Sequence, residues 1–249
     1  MQNRENIINT LRNSFINNDN VYAFWLEGSD AIGTTDKYSD LDLWIDVEDD
    51  YEDKIIEKIK KVLSNISLID FFHEKEHGHS KIRQMFIHLK GTSEFLIIDL
   101  CVQSHSREIK FTIENKDEKV KVIFDKNNVI QYRHLNKDEF KNNVHKRINE
   151  IKSLSRYYIL LVEKEVKRNN YLEAFNYYHN YILSSLLELY RIKYEPTKKN
   201  YNLKHITRDL PIDVVEKLEY LYKISSIEEV EKKAIKSIEL INGLLEAEK

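Results

Sequence analysis

Cysteine, proline and glycine are all scarce in this chain of 249 residues, which holds one Cys, two Pro and five Gly. The lone cysteine, Cys101, excludes an intrachain disulfide framework and a cysteine zinc cluster. So few helix breakers imply long helices and few tight turns. They also make Gly28 and Gly33 conspicuous, because both fall in one short segment. Long apolar runs are missing too: no stretch approaches the roughly 18 residues that span a bilayer. The first fifteen residues, MQNRENIINTLRNSF, carry Asn and Glu where a signal peptide needs an apolar run. A cytoplasmic protein without a membrane partner is therefore expected. A basic excess is lacking as well. The net charge of -3 makes nucleic acid an unexpected partner.

What is present is a globular composition, 41% hydrophobic and 33% charged, with a mean hydropathy of -0.57. That is too apolar for a disordered chain and too charged for a membrane protein. The length suits one large domain or two small ones. Charge is uneven: residues 1–134 hold 18 Lys/Arg against 24 Asp/Glu, and residues 135–249 hold 21 against 18. An acidic half beside a basic half suits a site for metal plus phosphate.

Apolar periodicity divides the chain. Ile8, Leu11, Phe15 and Ile16 predict a helix over 5–16, and Ile55, Ile56, Ile59 and Val62 another over 51–63 with Asp50 as its N-cap. Strands are predicted at 21–28, 41–47, 67–72, 83–89, 94–102 and 120–125, with residues 90–93 joining two of them as a hairpin. After Leu135 strand signals stop. Asn136 to Glu139 and Ser226 to Glu229 read as capping boxes, Tyr171 to Tyr190 as one helix, Pro196 as a break and Pro211 as a helix start. The expected fold is α/β followed by all-α: a mixed sheet flanked by helices over 1–134, then a helical bundle over 135–249.

The chemistry concentrates in Gly28-Ser29, ten residues, then Asp40-Leu41-Asp42-Leu43. Strand alternation puts Asp40 and Asp42 on one face and Leu41, Leu43, Ile45 and Val47 on the other. Paired carboxylates repel unless a cation sits between them, and Mg²⁺ prefers oxygen ligands. Asp99 lies within the apolar run FLIIDLCV, where a charge is costly unless paired or metal-bound. Three such acids suit a two-metal site for in-line displacement at phosphorus. Gly lets backbone approach a phosphate, and Ser adds a hydroxyl and an N–H. The competing reading pairs Asp99 with Arg83 of the neighbouring strand, as a buried acid with a structural partner. A single-metal Asp-x-Asp that holds a sugar nucleotide is another. His73, His77 and His79 read as a solvated turn, and Cys101 as a buried strand residue.

Gly28, Ser29, Asp40, Asp42 and Asp99, in this order and spacing, resemble the signature of the nucleotidyltransferase superfamily that includes DNA polymerase beta, over residues 20–103. Chain size and the helical half are similar to bacterial aminoglycoside and lincosamide nucleotidyltransferases. The resemblance implies transfer of a nucleoside monophosphate, AMP from ATP first among the donors, to a hydroxyl of a small molecule such as an aminoglycoside, with release of pyrophosphate. It implies two Mg²⁺ ions on Asp40, Asp42 and Asp99, with Ser29 at the β- and γ-phosphates. It also implies a general base that is Asp99 or a helical-domain Glu, for which Glu173 stands as candidate. The stretch from Tyr194 to Pro211 is similar to one in relatives, and there Lys204 and Arg208, one helical turn apart, would reach the triphosphate. The alternatives are a toxin–antitoxin nucleotidyltransferase acting on tRNA or protein, and a non-catalytic NTP-binding module. The helical half has no Arg-x4–6-His motif of the helical ribonuclease partners of such systems. Oligomeric state is left open.

Overall fold

The structure is a computed structural model and describes residues 4–247. Its elements in the first half are α1 (Arg4–Phe15), β1 (Val21–Leu26), α2 (Gly28–Ile32), β2 (Leu41–Val47), α3 (Glu52–Ile66), β3 (Ile69–Lys75), β4 (Ile82–Leu89), β5 (Ile98–Ser104), β6 (Phe111–Thr112), β7 (Lys121–Asp125) and β8 (Tyr132–Arg133). The second half holds α4 (Lys137–Lys167), α5 (Tyr171–Tyr177), a π-helical turn (Tyr178–Leu183), α6 (Ser184–Tyr194), α7 (Ile206–Asp209), α8 (Ile212–Tyr222) and α9 (Ile227–Ala247). The chain divides after Leu135 into two compact units.

The first unit is a six-stranded mixed sheet in the order β3-β4-β5-β2-β1-β7. β2 and β5 run parallel, and the other pairs are antiparallel. Period-2 alternation decides its faces. Leu41, Leu43, Ile45 and Val47 of β2 join Ile98, Leu100 and Val102 of β5 and Met85, Ile87 and Leu89 of β4 in one cluster. Ile7, Leu11 and Phe15 of α1 and Ile55, Ile56, Ile59 and Leu63 of α3 complete it, so one sheet face packs on two amphipathic helices. Each such side chain contributes roughly 1.5–3 kcal/mol by leaving water. The other face carries Asp42, Trp44 and Asp46 of β2 and Asp99, Cys101 and Gln103 of β5. Trp25 and Trp44 stack across β1 and β2 there, with ring centroids 5.8 Å apart, and Trp25 packs with Ala23 and Phe111 in a small second core.

The structure departs from the sequence expectations in its connections. Asp50 is no N-cap: it adopts φ 67°, and α3 begins at Glu52 behind Tyr51. β5 starts at Ile98, not at 94, because Ile97 turns its carbonyl to Leu41 N (2.8 Å) and residues 90–97 form a longer loop around Gly91 at φ 83°. β3 runs on to Lys75 as an exposed edge strand, where polar residues are tolerated on both faces. The parallel pair β6 and β8, two residues each, has no counterpart in the sequence pattern.

In the second unit the run expected as one helix is α5, a π turn and α6 in continuity. Tyr178, Ile182, Leu186 and Leu189 face its core, and Tyr178 donates its hydroxyl to Leu221 O (3.1 Å). Asn136 and Ser226 cap α4 and α9, accepting from Glu139 N (3.2 Å) and Glu229 N (3.3 Å).

Candidate active site

The turn after β1 is built around Gly28. Its φ of 58° lies in the left-handed region, and a Cβ there would fall 1.9 Å from Asp42 Oδ2. Both facts require glycine: the backbone conformation disfavours a side chain, and the Asp42 carboxylate occupies the space one would fill. Ser29 follows on α2, which Gly33 ends in a left-handed C-cap. Ser29 Oγ is sealed from solvent and has no hydrogen-bond partner among the described residues. A buried hydroxyl in that state is costly until a ligand satisfies it.

Arg4 fixes this turn to the next strand. Its guanidinium pairs with Asp30 of α2 and donates to Asp40 O (2.6 Å) and Ser39 O (2.5 Å). Burial pushes the Asp30 carboxyl up from its ordinary value, and the Arg4 charge only partly opposes it. Asp36 closes the preceding loop by accepting from Tyr38 N (3.0 Å) and Ser39 Oγ (2.8 Å). The loop delivers Asp40, exposed, one residue ahead of β2.

Asp42 and Asp99 are register partners in the parallel β2–β5 pair, both half-buried on the face away from α1 and α3. Asp99 is not held by Arg83. Arg83 stands opposite Val102 on the helix-covered side and pairs with Asp53 (2.6 Å) and Glu74. Gln84, opposite Cys101 and on the Asp99 side, donates Nε2 to both Asp99 oxygens, at 2.8 and 3.0 Å. Gln84 was missed in the sequence, and so was Glu27. Glu27 N donates to Asp42 O (3.2 Å), and its carboxylate accepts from Trp25 Nε1 (3.0 Å). Alternation along β1 carries the signal, since Trp25 and Glu27 share a face. The Cys101 thiol reports the field on this face: burial pushes it up most, then the charges of Asp99, Glu27 and Asp42. Cys101 is thus a buried, unreactive thiol.

The donor set is chemically right for Mg²⁺: hard carboxylate oxygens on adjacent strands, beside an unsatisfied serine hydroxyl. Among the described residues, however, no three His, Cys, Asp or Glu side chains are gathered as an ion-holding group. Gln84 engages both Asp99 oxygens, and Asp40 sits outside the strand.

The remaining predicted residues lie in the second unit. Glu173 is exposed in the first turn of α5. Lys204 and Arg208 are not one helical turn apart on a common helix. Lys204 lies in an exposed turn ahead of His205, whose φ of 57° forms the N-cap of α7, and Arg208 lies on α7. The segment is fixed from below by Arg191, fully buried, which donates Nε to Asn202 O (2.6 Å) and Nη2 to Lys204 O (2.5 Å). Asp209 takes Lys198 Nζ (2.9 Å) and Arg208 Nε (2.9 Å). Burial would raise the Asp209 carboxyl, but these hydrogen bonds outweigh it and hold it below its ordinary value. His77 and His79 use Nδ1 to accept backbone N–H groups of His79 (3.0 Å) and Lys81 (3.1 Å), so they are turn caps.

No protein-family model matches the sequence, and no curated protein matches it significantly. Solved structures similar to the chain include an aminoglycoside 6-adenyltransferase from Bacillus subtilis, at 17% identity and TM-score 0.39, covering 99% of this chain and 90% of that one. A spectinomycin adenyltransferase from Enterococcus faecialis, solved with ATP and spectinomycin, aligns at 15% identity and TM-score 0.36 over 96% and 100%. A nucleotidyltransferase-like protein from Exiguobacterium sibiricum aligns at 14% and 0.37 over 98% and 75%. At these scores function has to be read from the side chains themselves.

Proposed function

We propose that the chain is a metal-dependent nucleotidyltransferase that moves a nucleoside monophosphate, AMP from ATP first among the donors, onto a hydroxyl of a small molecule. An aminoglycoside-type antibiotic is the first acceptor to test. The observation that carries this reading is the pairing of Asp42 with Asp99 in register, against a glycine that has no room for a side chain and a serine hydroxyl without a partner among the described residues. Asp40, Asp42 and Asp99 would hold two Mg²⁺ ions, which when bound neutralise phosphate charge and acidify the acceptor hydroxyl.

In the reaction the acceptor oxygen forms a bond to the α-phosphorus, the bond from that phosphorus to the bridging oxygen breaks, and pyrophosphate leaves with the electron pair. Ser29 Oγ donates to the departing phosphates, a role supported by its lack of a hydrogen-bond partner among the described residues. Gly28 keeps the backbone low enough for that approach. Asp99, oriented by Gln84, takes the hydroxyl proton, with Glu173 as the second candidate for this role.

The test is a matrix of labelled ATP, GTP, CTP and UTP with Mg²⁺ and a panel of hydroxyl-bearing antibiotics, read as pyrophosphate release. Release that depends on one acceptor class supports the reading. Release that needs tRNA or protein instead would replace the acceptor, and no release with any donor would end the enzymatic reading. Glu173→Gln and Asp99→Asn separate the two bases. The proposal expects the loss of turnover to fall on Asp99→Asn, by about 100-fold or more, with Glu173→Gln within about tenfold of the parent.

A further inference from the structure

Asp42 and Asp99 are fixed by the strands that carry them, but Asp40 lies ahead of β2. It ends the irregular stretch 33–40, which is exposed except at half-buried Ser39. That stretch is tied within itself and to α2, from Ser39 N to Asp36 O (3.3 Å) and from Thr34 N to Ser29 O (3.0 Å). The direction of the Asp40 side chain depends on the two peptide planes that flank its Cα. One guanidinium grips both. Arg4 Nη1 donates to Asp40 O (2.6 Å), and Arg4 Nη2 donates to Ser39 O (2.5 Å). Leu41 N, in the second plane, donates to Ile97 O (2.8 Å) from the opposite edge and ties that plane to the residue before β5.

Arg4 is itself firmly held. Ile7, Leu11 and Phe15 bury α1 against the sheet, and Arg4 stands in its first turn. Nη1 also pairs with Asp30, the residue after Ser29, and both side chains are largely buried. Both placements are costly on local grounds. A cation at a helix N-terminus opposes the helix dipole, and a largely buried ion pair loses its hydration. A fork of N–H groups that spans a carboxylate and two carbonyls is what an arginine provides and a lysine does not. Asp40 also shares a field with this pair: after burial, its charge adds to the rise of the Asp30 carboxyl, against Arg4.

We propose that Arg4 is the positioning residue of the acid row, setting Asp40 beside Asp42 for a divalent cation; this rests on the metal site of the transferase reading. Mn²⁺ binding to the full chain, followed by electron paramagnetic resonance without any NTP, tests it. The parent should bind Mn²⁺ saturably. Arg4→Gln should weaken that binding by about tenfold or more, the usual effect of losing a group that orients a metal ligand. The Mg²⁺ concentration for half-maximal pyrophosphate release should rise to match, and raising Mg²⁺ should recover most of kcat. A role in folding alone would lower the urea midpoint and leave both metal readings in place. If Arg4→Gln unfolds by circular dichroism, Arg4→Gln combined with Asp30→Asn replaces it. The double variant leaves no charge buried at position 30 and should show the same loss.

Mn²⁺ affinity that stays parental in either folded variant overturns the proposal, and so does a parent that binds no Mn²⁺ saturably. If Arg4→Gln weakens Mn²⁺ binding and the parent turns over no NTP, the positioning role stands and the transferase reading fails. If the parent turns over NTP with Mg²⁺ and Arg4→Gln leaves both the Mn²⁺ affinity and the Mg²⁺ requirement unchanged, the Arg4 proposal fails by itself.

Discussion

A methyl group at position 28 would meet the Asp42 carboxylate at 1.9 Å, so Gly28 sets the distance between the turn after β1 and the acid on the next strand. Gly28→Ala should therefore act twice. The left-handed backbone would cost about 1–2 kcal/mol of stability, visible as a lower urea midpoint. The displaced Asp42 would lower turnover by roughly 100-fold, the scale expected for a shift of about 1 Å in a reacting group. Turnover close to the parent's would mean that Asp42 does not contribute at this spot. Asp99 poses a different single-residue problem. Its apolar neighbours predicted a partner, and the sequence offered Arg83; the structure supplies Gln84 instead. The reason is parity. Arg83 is the odd neighbour whose side chain leaves toward Asp53 and Glu74, and only the next residue shares the acid's face. Gln84→Leu should lower kcat by about 10–100-fold, the usual effect of removing a group that orients a catalytic or metal-binding side chain. Its KM for ATP should change little.

At the scale of elements, legibility follows periodicity. β2 was readable to the residue, because aliphatic residues hold every second position from Leu41 to Val47. α4 and α9 were readable from their caps. The two-residue strands β6 and β8 were not, since two residues hold no period. The four-residue α7 was equally silent, and its register depends on tertiary contacts: Arg191 reaches up to Asn202 and Lys204, and Asp209 gathers Lys198 and Arg208. Removing that acid takes the carboxylate out of a largely buried ion-pair cluster with Arg191 and Lys198. Asp209→Asn should destabilise the protein by about 3–5 kcal/mol near pH 7, measured by urea unfolding. The sign of its pH dependence follows from the lowered carboxyl. The stabilisation is complete above the ordinary value of 3.8 and fades as pH falls below it through the folded value. The gap between parent and variant should therefore stay constant from pH 5 to 7 and close only in stronger acid. A gap that changed between pH 5 and 7 would contradict the pairing.

For the whole molecule, the division into a mixed-sheet unit and a helical unit was visible where strand signals stop, near Leu135. The acid pair was visible because Asp42 and Asp99 each lie in an apolar run that falls on a strand, whereas Asp40 lies one residue ahead of its strand. Which strands lie side by side was not, because parallel pairing of β2 with β5 joins segments more than fifty residues apart and leaves no local pattern. Glu27 and Gln84 went unseen for the same reason: each matters only through the neighbour that topology gives it. The central claim is that Asp42 and Asp99 together handle a nucleoside triphosphate. It is tested most directly by pyrophosphate release from ATP and acceptor with Mg²⁺, parent against Asp42→Asn, with folding checked by circular dichroism. The account predicts turnover in the parent and a loss of at least about 1,000-fold in a folded variant; near-parental release from folded Asp42→Asn would contradict it.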